Sequence, residues 1–222
     1  MKKIIMSLLA AVAMSAPAIA DDSKITKGYY TMDSMGCMLL RECTDGVKEV
    51  FSVLDIANHY PNRNYYPVAD EFNRMLVSLN QVGVKVFLAD EKYFLVGHRG
   101  VYHTVSNNFY LNKAFMHRPH VLMGVMRHEG WHAAQDCMAG TIGNSVLAII
   151  KPEEEVPPLW REMVERTYPE SAVPWEAEAS WAGRTGGMTE RALSACAEGE
   201  MWTIYPPTPL TKKYLIENGY MK

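Results

Sequence analysis

The sequence predicts an α+β fold, with helices first, then a small antiparallel sheet, then a long histidine-bearing helix and a helical C-terminal part. Three observations predict it. Apolar residues recur at helical spacing between Gly46 and Val82. Short runs rich in Val, Phe and Tyr, broken by Gly and Asn, fill residues 84–111. From Pro119 onward a series of segments opening on Pro or Thr reads at helical period. Strands and helices do not alternate as a parallel sheet would require.

The chain opens on Met1-Lys2-Lys3, an apolar run from Ile4 to Ala16, and Ala18-Ile19-Ala20 before Asp21-Asp22. A basic start, an apolar middle and small residues before a polar stretch describe a secretory signal peptide (residues 1–20) cut after Ala20. The apolar run falls short of the roughly 20 residues that span a bilayer. Residues 21–222 then form a single domain, large enough to bury a core. Losing Lys2 and Lys3 takes the formal charge from −3 to −5. Mild acidity spread along the chain argues against nucleic acid as a partner. No later run suits a membrane span, so the expected location is secreted or periplasmic.

In order, Gly46 to Tyr60 reads as a helix through Val47, Val50, Phe51, Leu54 and Ala57, stopped by Pro61. Pro67 to Val82 repeats the pattern with Phe72, Met75, Leu76 and Leu79. Val84 to Leu88 reads as a strand, as do Tyr93 to Val96, Val101 to Val105 and Phe109 to Leu111, with Gly97, Gly100 and Asn107-Asn108 as turns. Pro119 suits the first turn of a helix ending near Gly140. Further helices are expected over Thr141–Lys151, Pro157–Tyr168, Pro174–Gly183 and Thr189–Glu198. Glu153 to Glu155 reads as a solvated loop, and Pro206 to Pro209 as a surface-hugging extension.

Cys37, Cys43, Cys137 and Cys196 form an even set, which in an exported chain favours disulfides. Three pairings are open. The preferred one closes a local loop with Cys37–Cys43 and staples distant elements with Cys137–Cys196.

His128-Glu129-Gly130-Trp131-His132 falls on the helix that starts at Pro119. Histidines four apart lie about 40° apart on one helical face, so both imidazoles can reach one zinc ion. Glu129, about 100° round from His128, falls beside the metal, where a carboxylate can serve as general base. Chance alone gives such a match in roughly two of a hundred chains of this composition, so the preceding strands and a later acidic helix must add weight. A hydrolytic zinc site needs a third protein ligand and an open position. Asp136-Cys137-Met138 follow where a metzincin would carry Gly and His. The remaining source is Pro174-Trp175-Glu176-Ala177-Glu178-Ala179-Ser180. Ala177, Ala179, Ser180 and Gly183 would let this helix approach the histidine helix closely. Glu176 and Glu178 lie about 200° apart, so one alone can face the metal.

His128 to His132, with Glu176-x-x-Ala179 beginning 44 residues after His132, resembles the gluzincin pattern of zinc metallopeptidases. It is similar in particular to minigluzincin-like domains and to the core of CAAX-prenyl-protease and related membrane peptidases. The resemblance covers roughly residues 101–183. It implies a zincin-like fold, Zn2+ as cofactor and Glu176 as the third ligand after His128 and His132. Ser180 stands where the family's pattern continues with Asp, and the transmembrane helices of the membrane members are lacking.

Asp136, four residues past His132, is a candidate to orient that ligand. Cys137 falls on the far side of the helix from both histidines, which suits a structural disulfide. Residues 105–111 are a candidate sheet edge for holding an extended substrate, as the resemblance implies. His103, Tyr110, Tyr168 and Arg184 are unranked candidates for stabilising an oxyanion. His59, His98, His117 and His120 read as packing or surface histidines.

The expected function is an exported zinc-dependent metallopeptidase that hydrolyses peptide bonds, with a zinc-activated water and Glu129 as general base. Its partner is then a peptide or protein substrate. The alternative is a zincin-fold binding or structural module with weak or no catalysis, against which Glu129 speaks.

Overall fold

Residues 34–140 and 146–219 are described in a computed structural model. The expected signal peptide lies outside them. The chain is mixed α/β, with a four-stranded sheet and surrounding helices. It opens with α1 (Ser34–Leu39), β1 (Lys48–Glu49), α2 (Val53–His59), α3 (Tyr66–Gln81) and β2 (Lys85–Ala89). Then come β3 (Gly100–His103), β4 (Asn108–Asn112), α4 (Lys113–Met116) and the 20-residue α5 (Pro119–Met138). The C-terminal part holds α6 (Pro158–Val164), α7 (Val173–Arg184), α8 (Met188–Ala197), α9 (Met201–Ile204) and α10 (Pro209–Glu217).

The sheet order is β1-β2-β4-β3. It is not purely antiparallel, as the sequence predicts, because β2 and β4 run parallel with Lys85 opposite Asn108 and Ala89 opposite Asn112. The chain leaves β2, passes over one strand position to lay down β3, and returns through a tight hairpin. The returning strand occupies the gap, which forces it parallel to β2 and makes β3 the edge. The edge near the histidine helix is therefore β3, and the expected edge over residues 105–111 is mostly the interior strand β4.

Alternation along the strands sorts side chains between two cores. Val86, Leu88, Tyr102, Phe109 and Leu111 face α3 and α5, meeting Phe72, Met75, Leu79, Leu122 and Met126. Tyr110 and Ala89 face the other way, under Met38 and Leu39 of α1 and Tyr93. Helix α5 is buried on several sides, and Trp131 is fully enclosed.

Several local expectations shift. Within residues 46–60 the chain is first extended at β1, and α2 begins only after Ser52. Ser52 Oγ accepts from Leu54 N while Asp55 Oδ2 accepts from Ser52 N, a capping box that fixes the start. Residues 91–93 form a 3-10 turn and Val96 is wholly exposed, so no strand spans 93–96. Of the helix expected over Thr141–Lys151, residues 141–145 lie outside the described residues and 146–150 are not helical. The backbone N–H of Ala148 there donates to Gln135 O, closing the end of α5. After Pro206–Pro209 the tail is more than an extension, because α10 docks with Leu215 buried and Thr211 Oγ1 donating to Ile149 O.

Both preferred disulfides are present. Cys137–Cys196 ties the end of α5 to α8 across a sequence separation of 59. Among the described residues no helix is long and apolar enough to cross a membrane.

Candidate metal centre

Helices α5 and α7 run antiparallel, with Gly124 against Gly183 and Gln135 against Trp175. A Cβ on Gly183 would stand 3.1 Å from the Gly124 carbonyl oxygen and 3.3 Å from His128 Cβ. Gly183, with buried Ala179 and Ala182, lets α7 lie close on the histidine face of α5.

That approach brings His128, His132 and Glu176 together, with one ligand atom from each lying within 4.8 Å of the others. His128 Nε2 is 3.3 Å from Glu176 Oε2, and His132 Nε2 is 3.6 Å from Glu176 Oε1. Glu176 Oε2 is buried and accepts no hydrogen bond. A buried carboxylate oxygen without a donor, facing two imidazole nitrogens, fits a cation and is costly without one. Two nitrogens and a carboxylate oxygen suit a divalent metal such as zinc.

The electrostatics agree. Burial would raise the Glu176 carboxyl, but the facing imidazoles of His128 and His132 hold it well below the usual carboxylate range. Burial would lower His132, yet Glu176, then Glu129 and Gln135, push it up to about 9. The pocket thus favours positive charge beside Glu176.

The remaining polar atoms of His132 are fixed from behind. Gln135 Nε2 donates to Glu178 Oε2 at 2.9 Å and to Trp175 O at 3.2 Å, which turns Oε1 toward His132 Nδ1 at 2.8 Å. That assignment of the amide makes Nδ1 the donor and leaves the Nε2 lone pair facing Glu176 in the neutral ring. The group behind His132 is therefore Gln135 and not Asp136. Asp136 instead accepts from Tyr102 OH at 2.8 Å, and its other oxygen is buried without a partner. Burial, opposed by the Tyr102 bond, pushes Asp136 up to about 8.

Glu178 does not join the cluster. It is fully buried on the opposite side of α7, accepting from Trp131 Nε1, Gln135 Nε2 and the backbone N–H groups of Ile150 and Lys151. Glu129 stands in the same cleft as the cluster, and its Oε2 accepts from Tyr102 N on the edge strand at 2.9 Å.

Of the four oxyanion candidates, Tyr168 and Arg184 line the cleft. Burial, then the charges of Glu176 and Glu129, push the Tyr168 phenol up to about 12, so it remains a donor. His103 is buried at the end of β3 with Nδ1 2.6 Å from Ser106 Oγ, and burial pushes it down to about 4. Tyr110 stacks on Phe87 on the far face of the sheet. His98 and His120 line the cleft, whereas His59 and His117 pack around Tyr60. Nothing in the sequence marks Gln135 beyond its i+3 spacing from His132, and nothing there marks Tyr102.

Comparison of the chain with protein families, with curated proteins and with solved structures gives no match in any of the three.

Proposed function

We propose that this chain is a zinc-dependent metallopeptidase with a zincin-like domain of gluzincin type, acting outside the cytoplasm. The observation that carries the reading is the convergence of His128, His132 and Glu176 on one point in the cleft that also holds Glu129. His128, His132 and Glu176 would hold the ion. Bound there, zinc supplies Lewis acidity that polarises a carbonyl and acidifies water.

The chain's own groups do the rest. Glu129 takes a proton from water and delivers it to the departing amine. The Tyr102 N–H anchors one of its oxygens, and the other accepts no hydrogen bond among the described residues. Tyr168, kept protonated by its surroundings, donates to the oxygen that gathers negative charge. Gln135 keeps the His132 ring turned with Nε2 toward the cleft. Two disulfides suit an oxidising compartment and support export.

The test uses the mature chain with disulfides intact. It should carry one zinc per chain by elemental analysis and cleave members of a broad peptide library. Glu129→Gln should lower kcat by roughly 10²–10⁴-fold while zinc content stays the same. Unchanged hydrolysis in that variant would remove Glu129 from the chemistry. Stoichiometric zinc with no turnover would favour a binding module on the same fold.

A further inference from the structure

The cleft has a volume of about 680 Å³, and its lining is sorted by charge. Because α5 and α7 are antiparallel, the start of α5 and the end of α7 share one end of the cleft. Arg118 and His120 stand there with Arg184. The loop before β3 adds His98 and Arg99, with Gly100 lying against Val125 and Glu129. Leu147, Trp160 and Met163 contribute an apolar lining from the α6 side. The carboxylates in the lining are Glu129 and Glu176, both part of the cluster already described.

An exposed arginine is ordinarily just solvated. Here three converge on a cleft, and among the described residues none has a carboxylate within 4.0 Å, while Arg74, Arg127 and Arg161 each pair with a glutamate. Arg99 lies 5.7 Å over the Phe115 ring, and Arg118 Nε donates to His117 Nε2 at 3.2 Å. Both side chains are thus steadied by groups that leave their charge uncompensated. The chain as a whole carries −3, so this end of the cleft reverses the sign of the protein around it. Field lines concentrate in such a concavity, and guanidinium forks match a carboxylate with two parallel hydrogen bonds.

We propose that this end of the cleft is a carboxylate subsite and that the substrates are acidic peptides. The proposal rests on the peptidase reading for the bond that is cut, and it names what lies next to that bond. The carboxylate comes from an Asp or Glu side chain or from a free C-terminus. The apolar lining opposite receives a hydrophobic residue of the same peptide.

Binding separates this idea from turnover. Zinc-loaded Glu129→Gln protein is titrated with fluorescent ten-residue peptides that share an apolar centre and differ as Asp/Glu against Asn/Gln on its flanks. Each is made as the free acid and as the C-terminal amide. Acidic peptides should bind about tenfold tighter than neutral ones at low salt, a preference that shrinks as salt shortens the screening length. If amidation removes the preference, the carboxylate is the terminal one; if only the flank changes matter, it is a side chain. The Arg118→Gln, Arg184→Gln double variant should bring the acidic-to-neutral ratio down about five- to tenfold, with the Lys versions keeping part of it. Equal affinities in the starting protein overturn the subsite, as does a ratio that survives the double substitution. Failure of the peptidase reading shows elsewhere, as absence of turnover with Glu129 in place.

Discussion

Glu176 and Glu178 stand two residues apart on α7, about 200° round its axis, and their surroundings are opposite. Glu178 points inward and is saturated by four donors from Trp131, Gln135, Ile150 and Lys151. Burial raises it to about 7 in spite of them. Glu176 points to the cleft, meets two imidazoles, and leaves one oxygen without a donor. A buried carboxylate with donors on both oxygens is a structural element. One whose lone pairs converge with histidine nitrogens is prepared for a cation. Gln135 links the two, because the amide that satisfies Glu178 also orients His132.

The contrast breaks most decisively at the two glutamates themselves. Glu176→Gln should weaken zinc binding by roughly 100-fold or more, since it removes a ligand and not merely its support. In the metal-free protein it should lower the urea midpoint too, but by less than Glu178→Leu does, because only the contacts with His128 and His132 are lost. Glu178→Leu should do the reverse at the level of the fold, stranding buried donors at a cost of about 3–5 kcal/mol. Equilibrium unfolding and a competitive zinc titration on both variants read the two effects. If Glu178→Leu leaves stability intact while zinc affinity collapses, the roles of the two carboxylates have been assigned the wrong way round.

An intermediate effect tests the link. Gln135→Leu is close in size but cannot accept from His132 Nδ1 or donate to Glu178. Zinc affinity should fall about 10–100-fold. The nitrogen shifts of His132 in the metal-free protein, read above pH 9 where the ring is neutral, should show a loss of preference for the Nδ1–H tautomer. An unchanged tautomer ratio would mean the ring is held by packing alone.

The histidine pair and the place of Glu129 beside it were legible because helical spacing translates directly into direction. The preference for Glu176 over Glu178 came from the family resemblance, since spacing showed only that one of the two could face the pair. Alternation and Gly punctuation likewise exposed β2 and the hairpin. What stayed hidden depends on partners distant in sequence. The parallel β2–β4 pair arises from the order in which strands are laid down, which short apolar runs do not encode. Gln135 and Asp136 are adjacent, and spacing alone suggested the acid as the orienting group. The choice between them is made by Trp175, Glu178 and Tyr102, which come from other elements. Likewise 146–150 looked helical because its apolar content suited a helix, but its backbone donors are taken by the end of α5 and by Glu178.

The smallest expected effect sharpens the same contrast through pH. Asp136 and Glu178 are raised by burial to about 8 and about 7, from 3.8 and 4.5. Groups with raised values bind protons more tightly folded than unfolded, so their stabilisation is complete below about pH 4 and is lost as pH climbs through 7 and 8. Glu176 is lowered, so its contribution is present above 4.5 and is lost only as the solution becomes strongly acidic. His132, raised to about 9 in the metal-free protein, falls on the same side as the two buried acids. The metal-free protein should therefore lose stability between pH 5 and pH 8. Asp136→Asn should flatten that slope by on the order of 1 kcal/mol, because relaxation and water penetration discount a shift driven by burial. Urea midpoints of the two proteins at both pH values decide the matter. A midpoint that rises toward pH 8 would mean that Asp136 and Glu178 are held ionised, which would make the interior of α5 and α7 resemble the cleft after all.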